Sequence, residues 1–105
     1  MKTKTVDILV VGSGAGAMTS ALVANDGGAD VLVVEKAPLW GGTSASSGGG
    51  IWIPCSPLAK AEGAEDSPQE AFTYIKSLTG EDVADEKIKA FIDKAPKMLS
   101  YLLEK

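Results

Sequence analysis

Two short, nearly unbroken apolar runs dominate the first third of the chain: VDILVVG, from Val6 to Gly12, and ADVLVVEK, centred on Val31 to Val34. Both are rich in β-branched residues and neither alternates polar with apolar, the composition of strands buried on both faces of a parallel sheet. Between them, GAMTSALVANDGG sets Met18 and Leu22 at helical spacing with the small residues Ala17, Ala21 and Ala24. Gly27 and Gly28 supply its C-terminal stop. Strand, helix and strand within about thirty residues predict one right-handed parallel βαβ unit.

The periodicity then lapses. Ala37 to Pro57 has loop composition, with Pro38, Pro54 and Pro57 around a glycine-rich stretch and Ile51–Trp52–Ile53 as its one apolar run, a candidate short strand or extended segment. Helical patterning returns in SPQEAFTYIKSLTG. Ser67 reads as N-cap, Pro68 as N1 and Glu70 as N3 of a capping box, with Phe72, Ile75 and Leu78 on the apolar face and Gly80 at the end. A second helix is expected from about Asp85, with Ile88, Phe91 and Ile92 on one side. Pro96 is expected to break or restart it ahead of Leu99, Leu102 and Leu103. The division predicted from composition is a βαβ unit over 1–57 and a helical continuation of the same domain over 58–105. The last pattern stops without a glycine or proline, and two strands are few for a parallel sheet. Both features predict the N-terminal part of a longer α/β protein.

Composition narrows the chemistry. The chain has 105 residues, 45% hydrophobic and 23% charged, as in an ordinary globular protein. Net charge is −4 and all ten basic residues are lysine, which argues against nucleic acid and removes bidentate guanidinium clamps. With no histidine, His-based triads and His-containing zinc sites are excluded, and no metal site is expected. The single cysteine, Cys55, forms no internal disulfide, so a reducing cytoplasm is the expected setting. No stretch approaches the length of a membrane span.

The turn after the first strand reads GSGAGA, a G-x-G-x-x-G/A pattern with Ala17 in the third position. Gly12 allows the tight turn, Gly14 lets backbone approach a pyrophosphate, and Ala17 lets the helix lie on the strand. The helix start then offers free amides and a partial positive charge to phosphate, in place of the missing arginines. Glu35, at the end of the second strand and 18 residues after Ala17, is placed to accept from ribose hydroxyls and to repel a 2′-phosphate. The expected cofactor-binding set here is Gly12, Ser13, Gly14, Ala15, Gly16, Ala17, Glu35 and Lys36.

A dinucleotide turn leaves GGTSASSGGGIW, residues 41 to 52, unexplained: five glycines and four hydroxyl side chains in twelve positions. With the fingerprint before it, this run resembles the FAD-binding flavoproteins, which carry a glycine turn, an acidic strand end and a GG pair six residues later. GGTSASSGGGIWIP narrows the resemblance to the fumarate reductase and 3-ketosteroid dehydrogenase superfamily, and most to the ketosteroid dehydrogenases. The resemblance is specific over the first fifty residues and weaker through the later helices. It implies a Rossmann-like, glutathione-reductase-type FAD unit in which Gly41, Gly42, Thr43 and Ser44 meet pyrophosphate and ribitol. Ser47, Gly48 and Gly49 would lie against the flavin.

The resemblance further implies noncovalent FAD, since no histidine is available to link it, and a passive buried role for Cys55. Tyr74 and Tyr101 fall on helices as packing residues. The family's catalytic tyrosines are expected beyond residue 105, so this chain carries no catalytic base and should not turn over substrate alone. The substrate implied is a small apolar molecule such as a 3-ketosteroid, losing a proton to a base and a hydride to flavin N5. A soluble fumarate reductase and a non-catalytic dinucleotide-binding module are the alternatives. Residues 41 to 57 are expected to be mobile until FAD is present.

Overall fold

Four residues of each apolar run become strand. In a computed structural model that describes residues 1–105, β1 (Ile8–Val11) and β2 (Val31–Val34) pair in parallel, with Ile8 opposite Val31 and Val11 opposite Val34. Flanking bonds extend the ladder: Asp7 N–H donates to the Asp30 carbonyl at 3.0 Å and Gly12 N–H to the Val34 carbonyl at 2.7 Å. The crossover is α1 (Ala15–Asp26), which packs on both strands and buries Ala21. Its end is set by Gly27 and Gly28, whose amides return to the Val23 and Asn25 carbonyls.

The remaining elements are α2 (Gly42–Ala45), α3 (Pro57–Ala61), α4 (Pro68–Thr79) and α5 (Asp85–Leu103). By its contacts the chain forms two compact units, Met1–Gly50 and Ile51–Lys105, dividing earlier than residue 57. The first holds β1, α1, β2 and α2. The second is helical, and its core is Ala71, Ile88 and Ile92 with Phe72, Ile75 and Val83 packed against them.

The α/β fold class and its βαβ unit stand as expected, while four expectations are corrected. First, β1 and β2 are not buried on both faces. Leu9 is 56% and Val11 78% exposed, because α1 covers one face and each strand pairs along one edge. Second, Ala37–Pro57 is not wholly loop. Gly42–Ala45 forms a helical turn, and Ser56 opens α3 by accepting from the Ala59 amide at 3.5 Å, a helix whose signal is only Ser56 followed by Pro57. Third, of the two forms expected for Ile51–Ile53, a short strand or an extended segment, the strand is absent. Trp52 instead stacks on Phe91 at 6.2 Å and meets Tyr74 edge-on at 5.8 Å.

Fourth, α5 runs unbroken through Pro96. A proline there removes one backbone hydrogen bond and crowds the Ile92 carbonyl. The helix persists because the turns before it bury Ile88, Ile92 and Ala95. The capping box of α4 is realised in part: Ser67 Oγ accepts from the Glu70 amide at 3.2 Å, and its hydroxyl faces Glu70 Oε2 at 3.3 Å. Lys76 near the end of α4 pairs with Asp85 at the start of α5 at 2.9 Å and with Glu81 at 3.3 Å.

Candidate dinucleotide-binding site

The turn between β1 and α1 holds the first expected group. Gly12 takes φ +104, and Gly14, the N-cap of α1, has no side chain of its own to cap the helix. The first helix amide to find a preceding carbonyl is that of Met18, bonded to Gly14 at 2.9 Å. Ahead of it, Ala15 N–H donates to Ser44 Oγ at 3.1 Å, while the amides of Gly16 and Ala17 keep their donors for an incoming anion.

The second glycine segment folds back onto that turn. Gly41 (φ +116) is the N-cap of α2, and Gly42 (φ +57) begins it. A Cβ on Gly42 would lie 3.3 Å from the Gly14 Cα, and one on Gly14 would lie 3.7 Å from Ser44 Oγ. A Cβ on Gly41 would meet the Ala45 Cβ at 2.6 Å. Gly42 thus packs backbone on backbone against Gly14 where the two segments meet, while Gly41 is required by Ala45 of its own segment.

Ser13 sits at the centre of the arrangement. It is 3% exposed, its hydroxyl donates to Glu35 Oε2, and its oxygen accepts the Gly41 amide at 2.8 Å. Glu35 Oε1 accepts the Ala37 amide at 2.9 Å. The Ala37 amide first, and the Ser13 hydroxyl second, hold the Glu35 carboxyl below the usual carboxylate range. Beside this carboxylate is a cavity of about 320 Å³ lined by Ser13, Met18, Val33, Glu35 and Trp40.

The structure thus brings together Ser13, Gly14, Ala15, Glu35, Gly41, Gly42 and Ser44. Gly12, Gly16 and Ala17 continue the same turn. Lys36 is exposed. The hydrogen bonds of Thr43, Ser47 and Gly49 stay within their own segment, which also holds Gly48: the Thr43 carbonyl accepts from Ser46 Oγ at 3.0 Å, and Ser47 Oγ donates to the Ser44 carbonyl at 2.9 Å and accepts the Gly49 amide at 3.1 Å. Sequence reasoning missed Trp40 and Ala37. The signal for Ala37 was its place two residues after Glu35, where a carboxylate can take the amide of a turn. Trp40 had only its position beside the glycine pair.

The sequence matches the family described as FAD binding domain over residues 7–105. The chain belongs to the FAD-binding domain family. Its match includes 3-oxosteroid 1-dehydrogenase of Mycobacterium tuberculosis (strain ATCC 25618 / H37Rv), 47% identical over 99% of this chain and 18% of that protein. The FAD-binding domain also superposes on the crystal structure of 3-ketosteroid delta1-dehydrogenase from Sterolibacterium denitrificans in complex with 1,4-androstadiene-3,17-dione. That match has a TM-score of 0.88 and 48% identity over 95% of this chain and 17% of the other. A flavocytochrome c3 fumarate reductase in its open conformation gives a TM-score of 0.88 at 25% identity, over 97% of this chain and 18% of the other. The chain spans under a fifth of the length of these proteins.

FAD is the cofactor, and the residues present fit it. A Cβ at Gly12, Gly16, Gly48 or Gly49 would meet no protein atom within 4 Å, so the chain leaves these surfaces open to a ligand. The amides of Gly16 and Ala17 suit a pyrophosphate. The Glu35 carboxylate, with one donor on each oxygen, keeps a lone pair on each for a vicinal diol. The superfamily resemblance read from the glycine run holds. No helix is long and apolar enough to cross a membrane.

Proposed function

We propose that this chain is the FAD-holding part of a flavin-dependent oxidoreductase acting on adjacent carbons of a small apolar ketone, with a 3-ketosteroid as leading substrate. The observation that carries the reading is the convergence of two distant glycine segments on the start of α1: Gly41 on Ser13, Gly42 on Gly14 and Ser44 on Ala15. One glycine turn would serve any dinucleotide; the second, docked on it, extends the cradle beyond the nucleotide. The relationship to 3-oxosteroid 1-dehydrogenase supports the choice of substrate.

In this reading the free amides of Gly16 and Ala17 hold the pyrophosphate, Gly14 and Ala15 form the backbone beside it, and Gly12 gives the turn its room. Glu35 accepts from the adenosine ribose, beside the Trp40 cavity, and Lys36 borders that end of the site. Gly41, Gly42, Thr43 and Ser44 follow the pyrophosphate and ribitol, and Ser47, Gly48 and Gly49 lie along the flavin. Bound FAD supplies a hydride acceptor. The chain's own residues bind, orient and screen it, noncovalently, since no histidine is present. Cys55 is buried, and burial first, with the Asp66 carboxylate second, pushes its thiol pKa up, so it is a poor nucleophile. The proton-accepting base belongs to other parts of the intact protein.

The test is anaerobic flavin bleaching in the intact protein. A 3-ketosteroid saturated in its A ring should bleach the flavin absorbance. Re-oxidation of reduced flavin by fumarate, with no response to steroid, would replace the steroid reading with the fumarate-reductase one. An intact protein that binds FAD but answers to neither would leave a nucleotide-binding module.

A further inference from the structure

We infer that Ser13 is a positioning residue rather than a ligand of the cofactor: its hydroxyl clasps the ribose-binding carboxylate to the second glycine segment. The inference rests on the FAD reading above and changes the role of one residue within it. Ser13 had been expected to touch the cofactor. In the fold it is 3% exposed and its hydroxyl is already committed in both directions, donating to Glu35 Oε2 and accepting the Gly41 amide at 2.8 Å.

These two bonds span 22 and 28 residues of chain. They join the β1–α1 turn, the end of β2 and the start of α2, three segments with no other side-chain hydroxyl in common. Glu35 Oε1 is held by the Ala37 amide at 2.9 Å, so the carboxylate is held at both oxygens and keeps a lone pair on each. Gly41 meets Ser13 with φ +116, a conformation that a Cβ would strain. Without the hydroxyl, a partly buried amide loses its acceptor and Glu35 loses the donor on Oε2, so only the Ala37 amide is left to orient the carboxylate.

Ser13 therefore acts through Glu35 and Gly41, and the consequence is non-additivity. FAD affinity of the intact apoprotein is measured for wild type, Ser13→Ala, Glu35→Gln and the double variant. Each single change should raise Kd about tenfold or more. In the Glu35→Gln background, adding Ser13→Ala should cost clearly less than it does in wild type, about threefold at most, because only the loss of the Gly41 bond is left to register. Effects that multiply, or Ser13→Ala binding as wild type while Glu35→Gln is weakened, would overturn the inference and leave the FAD reading intact. Failure of wild type to bind FAD would instead overturn that reading.

Hydrogen exchange in the wild-type apoprotein decides the matter even where Ser13→Ala does not fold. The Gly41 amide should be protected without FAD, while the neighbouring Gly48 and Gly50 amides exchange freely. Gly41 exchanging as fast as they do contradicts the clasp.

Discussion

At the scale of single residues, the glycines divide into those the fold needs and those the ligand needs. Gly41 belongs to the fold: φ +116 and a 2.6 Å approach of its would-be Cβ to Ala45 make Gly41→Ala costly before any cofactor arrives. We expect a loss of about 3 kcal/mol in stability, read as a fall in the denaturant midpoint of the apoprotein. Gly16 is the contrasting case, a glycine whose proposed role is to leave room for the cofactor. It lies in α1 with open space where its Cβ would be, so Gly16→Ala should stabilise the apoprotein by about 0.5–1 kcal/mol while weakening FAD. Equal effects of the two substitutions on apoprotein stability would refute this division. The sequence pattern could not separate the two classes, because GGTSASSGGG reads alike whether glycine faces glycine or cofactor. Only the fold-back of α2 onto Gly14 tells them apart.

At the scale of elements, Pro96 is the informative case. It reads as a break, yet α5 continues from Asp85 to Leu103. Local propensity was overridden by the buried row Ile88, Ile92 and Ala95, which fixes the preceding turns against α4. Pro96→Ala should therefore stabilise the helical unit, by up to about 3 kcal/mol, measured in a urea titration. The α4 cap and the βαβ order were legible because each has a local chemical signal, Ser67–Pro68–Glu70 or a β-branched run, and the α5 start was legible from the spacing of Ile88, Phe91 and Ile92. α2 and α3 were hidden, being single turns whose residues also suit loops. The Lys76–Asp85 pair adds a pH signature. The Lys76 ammonium lowers the Asp85 carboxyl below its ordinary value, so the pair's contribution is full above the unfolded pKa and lost as pH falls through the folded one. Lys76→Met should lower Tm slightly at neutral pH and leave it unchanged in strong acid, and added salt should shrink the difference.

For the whole molecule, the apolar runs that read as doubly buried strands are left largely uncovered: Leu9, Val11 and Val34 are exposed, and each strand keeps a free edge. Such a surface invites pairing with another copy. The 105-residue chain by itself should scatter light as more than its 10.8 kDa, and Leu9→Lys should return it toward the monomer. A monodisperse wild-type chain contradicts this. The sequence announced the composition of those strands correctly, and composition alone cannot say what lies over them. The two tryptophans have a practical consequence. Trp40 lines the Glu35 cavity in the first unit, and Trp52 stacks on Phe91 in the second. Each unit thus carries one tryptophan, so emission from Trp52→Phe protein would follow the Glu35 cavity and emission from Trp40→Phe protein would follow the helical unit, reading ligand arrival and unfolding from two separate optical traces.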